Sequence, residues 1–216
     1  MKHPVRFIGF FLVYTILFLR PVPAQTPSGS SSWYGNRTEA GISLGFGKFK
    51  TNVVNNNQLS IKNNEIVFLI HTINGIKLQD RAFLGLGVGY ELWQKGSFIP
   101  LFGYLSYDLQ KKENPFVASV SLGYSFGTRE AKTGTLDGIN DYNSGKGGFM
   151  ASIGLGYRLK ISNKLKFVYE VFYKYQAIQS SYNTIVTDSV GKIKYNSSAD
   201  YNLVNHFFGF RIGIVY

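Results

Sequence analysis

An enzyme needs a nucleophile or an acid/base group within reach of its partners, and this sequence offers few such combinations. It contains no cysteine, which excludes a disulfide framework, a thiolate metal site and a cysteine nucleophile. Beyond the N-terminal segment the only histidines are His71 and His206. The serines that could approach His206 lie in a predicted loop, where nothing fixes their positions: Ser180, Ser181, Ser197 and Ser198. We therefore predict no catalytic residue and interpret both histidines as polar residues without a catalytic role.

The segment from Asp137 to Asn143 is rich in oxygen ligands of the kind that calcium prefers. It lacks the spacing of an EF-hand loop and its closing glutamate, and turn chemistry explains its composition at least as well. The glycines from Gly85 to Gly89 lie within a strand-like segment with no helix after it, unlike a dinucleotide-binding loop. We predict neither a metal site nor a cofactor.

The positions of four charged residues in the alternating pattern predict where their side chains point: Arg158, Glu170, Lys174 and Arg211. Each lies on the small or polar side of a segment in which apolar side chains occupy every second position. Because an unpaired buried charge is costly, we expect Glu170 to pair with Arg158 or Arg211 in a structural cluster inside the fold. The alternative is a set of hydrated, unpaired charges.

Eight segments with a two-residue period follow one another along the chain, with turn-forming residues between them. Each is long enough for the roughly 9–11 residues that a tilted membrane-spanning strand needs. The predicted strands are Glu39–Phe49, Glu65–Leu78, Ala82–Trp93, Phe98–Leu109, Pro115–Gly127, Gly147–Ile161, Lys164–Gln179 and Asn202–Tyr216.

The two faces of these segments differ in a way that suits a barrel in lipid. In Gly147–Ile161 one face carries Phe, Ala, Ile, Leu and Tyr, and the other carries Ser, Gly, Arg and Lys. The polar faces are too narrow to cover a surface in water, but they fit the inside of a small barrel whose apolar face meets lipid. We predict an all-β, eight-stranded, antiparallel transmembrane barrel. The faces of Glu65–Leu78 stay unassigned, because polar and apolar side chains share one parity.

The connections fall into two classes. The joins after the second, fourth and sixth strands are short, whereas Lys50–Asn64, Thr128–Lys146 and Ser180–Tyr201 are long and only Gln94–Ser97 is short in that set. Outer-membrane barrels have short periplasmic turns and longer extracellular loops. We therefore expect the long loops to be extracellular and both ends of the barrel to be periplasmic.

The N-terminus has the parts of a cleaved signal peptide. A basic start precedes the 13-residue apolar run Phe7–Leu19, and Val22 and Ala24 are small residues suited to cleavage. We predict a signal peptide over 1–24, a flexible periplasmic leader over 25–38 and the barrel over 39–216. Cleavage would lower the net charge from +11 to about +8, and export argues against a nucleic-acid partner.

The C-terminal run FFGFRIGIVY alternates apolar residues and ends on an aromatic one, as terminal assembly signals of bacterial outer-membrane barrels do. Its apolar positions are Phe208, Phe210, Ile212, Ile214 and Tyr216. Phrases such as FLGLGVGYELW (Phe83–Trp93) and GGFMASIGLGYRLKIS (Gly147–Ser162) resemble a bacteroidete-type family of small outer-membrane β-barrel proteins, which are OmpA/OmpX-like barrels. The resemblance covers about Glu39 to Tyr216. It implies the fold and an outer-membrane location but no catalytic motif.

We expect a non-enzymatic, monomeric outer-membrane protein with a structural or surface-binding role through its long loops. The expected partners are outer-membrane lipid, lipopolysaccharide and, through the C-terminal strand, the barrel-assembly machinery; the extracellular ligand is unknown. A narrow porin-like channel, a lipid-modifying enzyme that uses His206 and a soluble periplasmic β-domain are the alternatives.

Overall fold

A computed structural model describes residues 33–53, 57–78, 81–93, 96–128, 130–136, 139–187 and 193–216. The predicted signal peptide and most of the predicted leader lie outside the described residues. Among the described residues no helix is long and apolar enough to cross a membrane.

The described residues form strands joined by turns. In chain order these are β1 (Tyr34–Phe46), β2 (Lys48–Val53), β3 (Asn57–Lys62), β4 (Ile66–Leu78), β5 (Ala82–Trp93), β6 (Gly96–Asp108), β7 (Phe116–Gly127), β8 (Glu130–Leu136), β9 (Ile139–Lys160), β10 (Lys166–Thr187) and β11 (Ile193–Val215).

Eight of these strands close into a barrel. They are β1, β4, β5, β6, β7, β9, β10 and β11, and each pairs antiparallel with its two neighbours around the ring. The pairing of β11 with β1 closes the ring. It continues as far as Asn36 and Tyr216, whose backbone amides and carbonyls exchange two hydrogen bonds of 3.0 Å. Closure gives the backbone groups of all eight strands partners without water. The predicted eight-stranded antiparallel barrel is confirmed.

The outside of the barrel carries the apolar face, as the alternation predicts. In β9, Phe149, Ile153 and Leu155 are 49–60% exposed, whereas Met150 and Ser152 between them are buried. Each of the eight barrel strands contributes exposed large apolar side chains in the same way. Since water would penalise so large an apolar surface, this exterior suits a hydrocarbon environment.

The structure resolves the faces of β4, which the sequence left unassigned. Val67, His71 and Ile73 point inward and are buried, while Phe68 and Ile70 are more than half exposed on the outside. The strand is apolar on both faces because part of the barrel interior is itself apolar. The period-two pattern therefore has little contrast in this strand.

The first strand begins at Tyr34, five residues before its predicted start at Glu39. Residues 34–38, assigned to the leader, thus belong to the barrel wall. The strand also ends earlier than predicted, at Phe46. Gly47 follows with a φ of 85°, a conformation that other residues rarely adopt, and it separates β1 from β2.

The three long connections are not simple loops, because each contains paired strands. Strands β2 and β3 form one hairpin, and β8 pairs with the outer part of β9. Strands β10 and β11 stay paired far beyond their predicted ends, from Lys166↔Val215 to Thr187↔Ile193. Outside lipid the two faces of a strand no longer need to differ in polarity. The alternation that marks strands in the sequence therefore fades there.

Candidate functional site: the charged interior of the barrel

The barrel interior holds a cluster of buried ionisable and polar side chains, called here the interior network. Its members come from seven of the eight barrel strands, and each is at most 4% exposed: Arg37, Glu39, His71, Glu91, Tyr104, Ser119, Glu170, Lys174 and Arg211. All occupy inward-facing positions of their strands.

Glu170 lies at the centre of the network. Its Oε1 accepts hydrogen bonds from Arg211 Nε at 2.9 Å and from Ser119 Oγ at 2.6 Å, and its Oε2 accepts from Arg37 Nη2 at 2.9 Å. The partner is thus Arg211, one of the two that the sequence suggested, together with Arg37. Charge-assisted bonds of this kind are about twice as strong as neutral ones.

Glu39 links the same arginines to β4. Its carboxylate lies 2.7 Å from Arg37 Nη2 and accepts a hydrogen bond from Arg211 Nη1 at 3.0 Å. His71 Nδ1 lies 3.1 Å from Glu39 Oε1. Two arginines and two glutamates thereby alternate in one compact group. Tyr104 Oη accepts a further hydrogen bond from Arg37 Nη1 at 2.5 Å.

A second group lies beside it and is joined to it by His71. Lys174 Nζ donates to both oxygens of Glu91, at 2.6 Å to Oε1. His71 Nε2 lies 3.3 Å from Glu91 Oε1, so the imidazole stands between the carboxylates of Glu39 and Glu91. Expected only as a polar residue of the wall, His71 is therefore the bridge between the two halves of the network.

The network is balanced in charge. Its three glutamates face three basic side chains, those of Arg37, Lys174 and Arg211. Moving single charges out of water costs several kcal/mol each, so balance and multiple hydrogen bonds are needed for the interior to fold at all. A structural role for this network stays a prediction.

Arg158 does not join this network, although the sequence grouped it with Glu170. Arg158 Nη1 pairs with Asp108 Oδ2 at 2.5 Å, near the short turns. The reason is register: in the β10–β11 pair Glu170 lies directly opposite Arg211, whereas in the β9–β10 pair Arg158 lies opposite Val168. Nearby, Lys160 Nζ pairs with the exposed Glu113 at 2.7 Å, and this hydrogen bond lowers the pKa of the Glu113 carboxyl.

Sequence reasoning missed Arg37 as a member of the interior and treated Glu39 only as a strand start. A signal was present for Glu39 and Ser43, which share one parity and alternate with Ala40, Ile42 and Leu44, but Arg37 has the polar neighbours Asn36 and Thr38. Tyr104 and Ser119 carried no comparable signal, since tyrosine and serine are common on both faces of these strands.

Apolar side chains fill the rest of the interior. Toward the long hairpins lies one buried cluster, formed by Val67, Trp93, Phe98, Ile178 and Phe207. A second consists of Ile73, Phe102, Tyr104 and Met150, with Phe83 packed against it. Trp93 and Phe207 meet edge to face at 4.8 Å between ring centroids. An eight-stranded barrel has an interior of a size that side chains can fill, and the side chains of these clusters and of the interior network lie in it.

Gly154 of β9 makes room for the network. A Cβ atom there would lie 2.1 Å from Glu170 Oε1 and 2.7 Å from Ser119 Oγ, closer than real atoms approach. The one barrel strand that contributes no member to the network thus contributes the space that its central carboxylate occupies.

His206 lies on the outer face, near the long hairpins. Tyr173 Oη is 2.7 Å from His206 Nδ1, and the rings of Phe46, Tyr173 and Tyr175 surround the imidazole. The side chains of Ser180, Ser181, Ser197 and Ser198 lie outside the described residues, as do those of the oxygen-rich segment 137–143. Where side chains are described, no group of three or more His, Asp or Glu residues is placed to hold a metal ion.

The apolar residues of the C-terminal run lie together on the outside of β11 and are 39–58% exposed. They are Phe208, Phe210, Ile212, Ile214 and Tyr216. Their placement on the outer face agrees with the predicted faces, and their part in assembly stays a prediction.

No family model matches this sequence, and no curated protein matches it. The resemblance to a bacteroidete-type family therefore stays a prediction. Solved structures do match in fold. The outer-membrane protein OprG from Pseudomonas aeruginosa superimposes with a TM-score of 0.58 at 9% identity, over 87% of this chain and 98% of that one.

Two other outer-membrane barrels match with lower scores. The outer-membrane protein AlkL, solved in lipid bilayers, has a TM-score of 0.46 at 12% identity, over 88% of this chain and 95% of that one. The neisserial surface protein A has a TM-score of 0.46 at 8% identity, over 84% and 96%. By its strand count, its closure and its likeness to OprG, this chain has the fold of the small outer-membrane β-barrels.

Proposed function

We propose that this chain is an integral protein of the bacterial outer membrane, without enzymatic activity, and that it serves a structural or surface-binding role through its long hairpins. The observation that carries the proposal is a barrel that is apolar outside and filled inside. Its wall belongs in lipid, and the described side chains of its interior form paired charges and packed apolar clusters.

The location is supported by the exterior of the barrel. Exposed side chains such as Leu86, Ile153 and Phe208 would be unfavourable in water but suit hydrocarbon. The aromatic group around His206 has the composition of an interfacial girdle, where rings with one polar end meet lipid headgroups. Outer-membrane lipid and lipopolysaccharide are the partners that this surface would meet.

The role is supported by the asymmetry of the two ends. The β2–β3, β8–β9 and β10–β11 hairpins all extend from one end of the barrel, while the connections at the other end are short. Extended hairpins offer surface for recognition, and short turns offer little. In the orientation usual for such barrels the hairpins face the outside of the cell.

Fractionation with surface proteolysis tests the location and the orientation together. The protein should sediment with the outer membrane, and protease added to intact cells should cut within 128–146 but leave the short turns untouched. A protease site placed at Asn163, in the short turn after β9, is the matched control and should be cut only after the membrane is opened. Recovery in the soluble fraction, or protection of 128–146 in intact cells, would overturn the proposal.

A further inference from the structure

A cleft of about 300 Å³ opens at the short-turn end of the barrel, outside the interior network. It lies between the turn after β6 and the turn after β9. Pro115 and Asn163 contribute to its lining, and the other six lining residues are ionisable: Asp108, Lys112, Glu113, Arg158, Lys160 and Lys166. Unlike the interior network, this group is not balanced. Four cations face two carboxylates, which leaves a net charge of +2.

The two carboxylates are already engaged by two of the cations. Asp108 pairs with Arg158, and Glu113 pairs with Lys160. Lys112 and Lys166 have no ion pair among the described residues. Their charge is therefore available within a concave surface, which concentrates the field of like charges.

Lys166 is the best placed of these cations. It is half-buried at the start of β10, and the charges that act on it are those of Arg158, Lys77 and Lys160 against a single carboxylate, Asp108. Mutual repulsion among four cations is unfavourable unless an anion joins them.

A nitrogen atom of Arg158, which lines the same cleft, also bears on the binding of an anion. Arg158 Nη1 is engaged by Asp108 Oδ2, whereas Arg158 Nε is buried without a hydrogen-bond partner, as is Asp108 Oδ1 in the same pair. The guanidinium side chain is only 13% exposed. An arginine whose second edge is unoccupied is suited to an oxyanion, which accepts planar N–H donors well.

We propose that this cleft binds a phosphate group, held by Lys166 and Arg158 with Lys112 at the rim. A phosphate monoester carries about −1.5 to −2 charges at pH 7, which matches the net charge of the cleft, whereas the phosphodiester of a phospholipid headgroup carries about −1 and would neutralise half of it. The group could belong to the headgroup of a neighbouring phospholipid or to a soluble phosphate ester. Under the proposed orientation the cleft faces the periplasm, and its binding chemistry does not depend on that orientation.

The test is titration of the folded barrel, in micelles of an uncharged detergent, with inorganic phosphate followed by calorimetry. Wild-type protein should show saturable binding that weakens as sodium chloride is added, since salt screens such contacts. Lys166→Gln should weaken it at least about fivefold, because one of the two main cations is lost. Lys48→Gln, at the opposite end of the barrel, is the matched control and should bind as wild type does.

Lys112→Gln provides a second variant on an exposed turn where folding is not at risk, and it should weaken binding to a smaller extent. A parallel titration with a short-chain phosphatidylglycerol below its micellar concentration separates the sources. Tighter binding of the lipid assigns the site to a headgroup, and tighter binding of inorganic phosphate assigns it to a soluble ester. Absence of saturable binding, or equal affinity in wild type and Lys166→Gln, would overturn the proposal. Since the experiment uses micelles, its failure would leave the proposed location untouched.

Discussion

Buried glutamates in this barrel are held by shared cations rather than by isolated pairs. Glu170 and Glu39 both contact Arg37 and Arg211, so that each arginine bridges two carboxylates and each carboxylate bridges two arginines. Such sharing satisfies more of the lone pairs and N–H groups than separate pairs would. Removing any one member therefore leaves several partners unsatisfied in a dry interior.

Glu170→Ala tests this sharing. The substitution removes four hydrogen bonds, two from Arg211 and one each from Arg37 and Ser119, and leaves an excess of buried positive charge. We expect a loss of about 3–5 kcal/mol in the free energy of unfolding, as for other broken buried ion pairs. Urea titration in detergent micelles, followed by tryptophan fluorescence, measures it. Glu113→Ala, whose ion pair with Lys160 is exposed, is the control and should unfold as wild type does; equal stability of Glu170→Ala would contradict the argument.

Gly154→Ala tests whether the space for Glu170 is required. The added methyl group would overlap Glu170 Oε1 and Ser119 Oγ, so the carboxylate would have to leave its arginines. Overpacking of this kind costs about 1–3 kcal/mol. Gly103→Ala is the matched control, because its nearest neighbour would be Leu122 O at 3.8 Å. If both alanine variants have the same urea midpoint, the close approach at Gly154 does not contribute to the stability of the barrel.

At the scale of single residues the sequence predicted which side chains face inward but not which of them meet. The alternation placed Glu170, Lys174 and Arg211 on the inner face, and the structure has them there. It could not choose between Arg158 and Arg211, because that choice depends on the register of β10 with its two neighbours. Register follows from the whole ring of pairings, and no local pattern reports it.

At the scale of strands and hairpins, the predicted strand bounds agree with the structure where contact with lipid requires alternating apolar and polar residues. They disagree in the outer hairpins, where no such alternation is required. Strands such as β5 and β7 agree with their predicted bounds to within one residue. The outer parts of β10 and β11 were predicted as a loop, although they pair without a break as far as Val186↔Tyr195. In water a hairpin needs backbone pairing but no apolar face, so its residues resemble those of a loop.

The outer part of the β10–β11 hairpin should be dispensable for folding. Ser181 and Asp200 lie opposite each other, so an Asn-Gly turn can join them in place of residues 182–199. The interior network and the buried apolar clusters lie in the barrel and keep all their contacts. We expect the shortened protein to fold in micelles with the urea midpoint of the full chain.

The control for this experiment removes a much shorter segment, residues 212–216, from the barrel wall itself. A chain ending at Arg211 loses the pairing of β11 with residues 37–40 of β1 and should not close. Failure of the hairpin-shortened protein to fold would show that the extension contributes to the stability of the barrel.

At the scale of the whole molecule, strand number and interior composition act together. The sequence predicted eight strands, and eight strands enclose a space that side chains can fill. It did not predict that apolar residues would share that space with the charges. The inward parity of β4 and β6 carries Val67, Ile73, Phe98 and Phe102, which look like lipid-facing residues until the pairing shows where they point.

The interior is closed at two levels, and this leads to a prediction on conductance. Toward the long hairpins Trp93 and Phe207 pack across the interior, and beyond them Arg37, Glu39 and Glu170 join the strands from side to side. Wild-type protein in a planar bilayer should therefore show no discrete current steps in 1 M potassium chloride. The double variant Trp93→Ala with Phe207→Ala should stay silent as well, because the charged layer is intact. Discrete steps from the wild-type protein would mean that the interior opens in a membrane and would favour a narrow channel over a surface-binding barrel.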